Sequence, residues 1–136
     1  MPIRVGLDLV SADSVREALR AHGDRYLERV YSPREVSDCS TETSLDAERL
    51  AARFAAKEAT FKVLRVGDAA VSWLDVEVLR DPSGAVELML TGNAANLAAE
   101  AGMRGLTLSL SHESGLAAAV VVAEVAHPAD NEVGHP

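Results

Sequence analysis

The segment Arg53-Phe54-Ala55-Ala56-Lys57-Glu58-Ala59-Thr60-Phe61-Lys62 sets four charges into what reads as a packing helix. Apolar residues recur around it at helical spacing: Leu50, Phe54, Phe61 and Leu64, at steps of four, seven and three. Lys57 falls in the gap of that stripe, where a core residue is expected. Glu58 and Lys62 are four apart and project beside the stripe on one side. A carboxylate and several cations bordering a buried face are the groups that a metal and a phosphorylated ligand require. The same pattern is also produced by an exposed Glu–Lys pair beside a snorkelling lysine.

Two further constellations carry polar groups in unexpected places. In Gly6-Leu7-Asp8 an aspartate interrupts a run of Val and Leu, although Asp is poor in strands. It is either a solvent-facing or capping residue, or a hard oxygen ligand held on a rigid element. With Glu58 it would supply two carboxylates for a Mg²⁺ that takes its remaining ligands from water and phosphate oxygens. The cations Arg53, Lys57 and Lys62 would neutralise the other phosphate charges. In Leu108-Ser109-Leu110-Ser111-His112 the histidine ends a strand at a turn, where it either meets a ligand or stands half-exposed. No nucleophile elbow and no orienting acid accompany it, so a hydrolase triad is not indicated.

The elements that must position these groups form one α+β domain, expected over residues 1–126, of mainly antiparallel strands packed on one long helix and several shorter ones. Residues 3–10 read as a strand with Val5, Leu7 and Leu9 on one face and Gly6 and Asp8 on the other. Residues 12–22 and 24–30 read as helices, the first burying Val15 and Leu19. Ser32-Pro33 starts another, with Ser as N-cap and Pro at the first helical position. Asp46 or Ser44 opens the long helix, which ends near Gly67. Strands over 73–80 and 85–90 are joined by Asp81-Pro82-Ser83-Gly84, a turn signal. Thr91 to Ala101 is an alanine-rich helix with Gly102 placed to cap it. Strands 105–112 and 116–125 form a hairpin across Glu113-Ser114-Gly115. Residues 127–136 show no periodicity and are expected to be a disordered tail.

Composition narrows the function classes. The 136 residues are 48% hydrophobic, enough for a core, with net charge −8. Nucleic acid is therefore not expected as a general partner. The single cysteine, Cys39, cannot form an internal disulfide and has no activating context. No signal peptide is evident, and no apolar run reaches the roughly 18 residues of a membrane span. A reduced, cytoplasmic protein without membrane attachment is expected. The absence of a P-loop argues against a nucleotide hydrolase.

Together, the three segments resemble the bacterial holo-acyl-carrier-protein synthases, the small 4′-phosphopantetheinyl transferases. The carrying residues are Val5-Gly6-Leu7-Asp8, then Arg53 through Lys62, then Leu110-Ser111-His112 before an Ala/Val strand. The resemblance runs from residue 3 to about residue 124. It implies a transfer of the phosphopantetheine arm of coenzyme A to a serine of an apo acyl carrier protein, releasing adenosine 3′,5′-bisphosphate. Asp8 and Glu58 would then ligate Mg²⁺ on the pyrophosphate, and Lys62 would contact the same phosphates. Arg53 and His112 would hold the 3′-phosphate of coenzyme A, and Lys57 would add charge to the same ligand. Gly67 would allow close backbone approach. Glu58, directly or through a metal-bound water, is the candidate base for the serine. The resemblance also implies a homotrimer with sites between neighbouring subunits, and a place in fatty acid or polyketide biosynthesis.

The chain departs from the family pattern after Asp8. The usual glutamate and arginine are Ser11 and Ser14, and Arg65-Val66-Gly67 replaces Gly-Thr-Gly. Arg65 is either a phosphate contact or a solvent residue. Docking of an acidic carrier would pass to Arg16 and Arg20, with a preference shifted toward polyketide or peptide carriers. The competing reading is a catalytically idle coenzyme-A-binding or interaction protein of the same fold.

Overall fold

In the computed structural model, residues 2–126 are described, and the expected C-terminal tail lies outside them. Strand β1 (Ile3–Ser11) leads into three short helices, α1 (Ala12–His22), α2 (Asp24–Val30) and α3 (Pro33–Asp38), and then the long α4 (Ala47–Leu64). A hairpin of β2 (Val76–Arg80) and β3 (Val86–Leu90) follows, then α5 (Gly92–Glu100), β4 (Met103–Glu113) and β5 (Leu116–Val125). The main sheet has the order β1-β5-β4 and is antiparallel throughout; β2 and β3 form a second small sheet. This is the expected single α+β domain. Among the described residues no helix is long and apolar enough to cross a membrane.

Local chemistry sets the element ends. Ser32 caps α3 and exchanges hydrogen bonds with Glu35 in a capping box, with Pro33 at the first helical position. Asp46 caps α4 by accepting from the N–H groups of Glu48 and Arg49. Ser114 and Gly115 both have positive φ, which closes the β4–β5 hairpin in two residues. Ser11 caps α1 by accepting from the Ser14 N–H at 3.2 Å, and the Ser14 hydroxyl returns to the Ser11 carbonyl at 2.7 Å. The two serines that depart from the family pattern therefore fasten the β1–α1 corner. One expected strand start is wrong: Trp73–Asp75 is a 3-10 turn, because Ser72 and Asp75 form their own capping box before β2 begins.

The core lies between α4 and the main sheet. Ala55, Ala59 and Val63 are buried where α4 crosses β1 and β5, while Leu50 and Leu64 are buried on its other side. The apolar stripe read from sequence is thus only part of a helix covered on most of its circumference; Phe54 and Phe61 are its half-exposed members. On β1 the covered face is the one carrying Gly6 and Val10. The apolar residues Ile3, Val5, Leu7 and Leu9 point outward and are each about 60% exposed. Beside them on the same outer face stand the half-buried Val120 and Val122 of β5.

Candidate active site

Gly6 decides how close β1 comes to α4. A Cβ built there would overlap the carbonyl oxygen of Ala59 and press on Val63 at 2.9 Å. Only glycine permits this approach, and the approach brings Asp8, two residues along on the same face, to the flank of α4 that carries Glu58 and Lys62. Lys62 Nζ donates to Asp8 Oδ1 at 3.1 Å and to the Leu7 carbonyl at 2.8 Å. Partial burial, and then the Asp8 charge, raise the pKa of Glu58, while Lys62 opposes them. Three residues from segments about fifty positions apart thus come together on one flank of α4.

The donor set here is two carboxylates, and no group of three or more metal-ligating side chains occurs among the described residues. Two hard oxygen donors with open surroundings suit a cation that keeps waters and takes further ligands from phosphate. The mutual repulsion of Asp8 and Glu58 is the kind a divalent cation relieves.

The opposite flank of α4 carries a second polar feature. Arg53 is five residues before Glu58, about 140° around the helix axis. It is 1% exposed, and its Nε and Nη2 have no hydrogen-bond partner. The Asp38 carboxylate lies 3.8 Å away, within ion-pair reach but too far for a hydrogen bond. Arg53 lines a cleft of about 420 Å³ together with Arg49, Arg80 and His112. His112 Nδ1 is 3.0 Å from Glu48 Oε2, which ties the ring to the first turn of α4. A buried guanidinium with unused donors, beside two more arginines and an oriented histidine, is suited to a phosphate.

Lys57 must be corrected. It is fully buried, and its ammonium donates to Glu35 Oε1 at 2.8 Å, the Trp73 carbonyl at 3.1 Å and the Val76 carbonyl at 2.6 Å. Its three donors are all occupied within the core, so it has none for coenzyme A. The buried stripe has a cation in its gap because Glu35, 22 residues earlier in the chain, neutralises it there.

The remaining expected residues are exposed. Gly67 follows α4 with φ +55, and Arg65 is the left-handed C-cap of that helix. Arg16 and Arg20 stand on the outer face of α1, with Arg16 bonded to Asp13 at 2.8 Å. Sequence reading missed Glu48, Arg49 and Arg80. Arg49 had a signal, since it precedes Arg53 by one helical turn; Glu48 had none, because its partner is 64 residues away.

The chain is similar to known proteins over most of its length. Residues 4–121 match the 4′-phosphopantetheinyl transferase superfamily. The chain is 44% identical over 123 residues to a holo-[acyl-carrier-protein] synthase of Desulforudis audaxviator, covering 90% of this chain and 93% of that protein. It is similar to the Helicobacter pylori holo-[acyl-carrier-protein] synthase in complex with coenzyme A, with TM-score 0.76 and 30% identity, covering 88% of this chain and 99% of the other. A second likeness is to the Chronobacterium ammoniagenes synthase–coenzyme A complex, with TM-score 0.79 and 33% identity, covering 93% and 100%.

Proposed function

Since the chain belongs to the 4′-phosphopantetheinyl transferase superfamily, we propose that it moves the 4′-phosphopantetheine of coenzyme A onto a serine of an apo acyl carrier protein. The observation that carries this reading is the junction at Gly6, where Asp8, Glu58 and Lys62 meet on one flank of α4. Asp8 and Glu58 hold Mg²⁺, which supplies charge neutralisation for the diphosphate. Lys62 adds a positive charge to the same phosphates. The serine oxygen bonds to the β-phosphorus, and the bond from that phosphorus to the bridging oxygen breaks. The electron pair leaves with adenosine 3′,5′-bisphosphate, and the serine proton passes to Glu58.

Arg53 and His112 take the 3′-phosphate, and the exposed backbone at Gly67 lies beside the diphosphate. The two half-sites stand on opposite flanks of α4, so one coenzyme A bridges the carboxylate flank of one copy and the arginine cleft of the next. A homotrimer supplies that arrangement. The outward apolar face of Ile3, Val5, Leu7 and Leu9 supports it, because a free chain would leave these residues in water. Arg16 and Arg20 meet the acidic carrier. Ser14, standing where the family pattern has an arginine, supports a carrier preference shifted toward polyketide or peptide assembly.

The test is mass spectrometry of apo carrier proteins incubated with this protein, coenzyme A and Mg²⁺, with and without chelator. A metal-dependent gain of one phosphopantetheine is expected, fastest on the preferred carrier. Tight binding of coenzyme A with no gain on any carrier would instead favour an idle binding protein or a specialised carrier outside the panel.

A further inference from the structure

Trp73 is the only tryptophan of the chain, and the chemistry above leaves it without a role. Its ring stacks on Phe54, with centroids 5.0 Å apart and planes at 28°. It also lies against Phe61, again at 5.0 Å, with planes at 40°. Phe54 and Phe61 stand four residues before and three residues after Glu58, on the same face of α4. The indole therefore spans the two rings that flank Glu58 along the helix. All three rings are half-buried, so each keeps some surface open.

The indole is held from below. Lys57 Nζ donates to the Trp73 carbonyl at 3.1 Å and is itself tied to Glu35 and Val76. A buried polar network thus fixes the backbone that carries the ring, which is the support a binding residue needs.

Resting on the transferase reading, we propose that the Phe54–Trp73–Phe61 wall seats the pantetheine arm of the donor. The phosphorus under attack carries that arm through one oxygen and one methylene, and the next carbon bears two methyl groups. A diphosphate held at Asp8, Glu58 and Lys62 must therefore place an apolar segment within a few ångströms of Glu58. Along α4 the Lys62 side of Glu58 is charged and the Phe54–Phe61 side is apolar. Aromatic faces offer the methyl groups a contact that water does not. Holding the arm there would fix the phosphorus in line for the incoming serine.

The single tryptophan makes the proposal directly readable. With Mg²⁺ present, coenzyme A should change the indole emission, whereas adenosine 3′,5′-bisphosphate, which lacks the arm, should bind without changing it. Trp73→Ala should raise KM for coenzyme A about tenfold and leave the Kd of the bisphosphate unchanged. Trp73→Phe should recover most of the loss, and it serves where Trp73→Ala does not fold. Equal emission responses to the two ligands, or equal losses of both in Trp73→Ala, would overturn the proposal. So would a response that appears only on adding apo carrier, which would give the wall to the carrier instead. If coenzyme A is bound and transferred with no emission change, this inference alone falls. If calorimetry shows no binding of coenzyme A, the transferase reading falls with it.

Discussion

Lys57 Nζ lies 2.8 Å from Glu35 Oε1, with both side chains completely buried. Glu35 also accepts from the N–H groups of Ser32 and Val78, at 2.9 and 3.1 Å. The pair joins α3, α4 and β2 through bonds that no water can replace. Burial lowers the pKa of Lys57, and the Glu35 carboxylate opposes that shift.

Removing one member strands the other in the core. Lys57→Met should therefore destabilise the protein by about 3–5 kcal/mol, measured by urea unfolding. Its folded fraction should bind adenosine 3′,5′-bisphosphate as the parent does. A selective loss of that binding without loss of stability would return Lys57 to the ligand site.

Gly6→Ala tests the close approach of β1 to α4. The added methyl group meets the backbone of Ala59, which cannot swing away as a flexible side chain can. A loss of about 3 kcal/mol is expected, again by urea unfolding. Moving β1 outward also parts Asp8 from Glu58, so transfer under conditions where the variant is folded should fall more than its stability alone explains.

Glu58 titrates higher in the folded chain than in the unfolded chain. The folded protein then binds more protons in that window, and its stability falls as pH rises through it. Glu58→Gln should raise the Tm of metal-free protein at neutral pH, and the gain should vanish as pH falls below the ordinary glutamate value. The same variant should lose transfer.

His112→Ala and Arg53→Gln should each weaken coenzyme A by about 10- to 100-fold, the scale of a hydrogen bond to a charged group. Neither should alter use of 3′-dephospho-coenzyme A. Steady-state comparison of the two donors is the measurement, and parallel losses on both would place the 3′-phosphate elsewhere.

Leu7→Glu puts a charge on the outward face of β1, where the side chain is 62% exposed in the single chain. The fold should survive, since no covered contact is lost. Assembly should not survive, because the carboxylate would be buried between copies. Sedimentation should report monomers, and transfer should be lost with the proposed trimer. A trimeric Leu7→Glu protein would rule out that face as the interface.

The amino-acid sequence by itself determined what depends on near neighbours. The caps at Ser32 and Asp46, the Ser114-Gly115 turn, and the side-by-side placement of Glu58 and Lys62 follow from spacings of a few residues. The roles proposed for Asp8, Glu58 and Lys62 rest on the family resemblance, since a strand aspartate and a Glu–Lys pair one helical turn apart are also ordinary surface features. Tertiary structure alone decided the rest. The alternation in β1 is the same whichever face is covered, and only the packing of α4 at Gly6 turned Val5, Leu7 and Leu9 outward. Lys57 reads as a ligand cation until Glu35 is brought beneath it. His112 has no orienting acid until β4 ends at the first turn of α4, where Glu48 stands. Each of these depends on partners many residues away, and the chain must close on itself before burial and charge can assign a role.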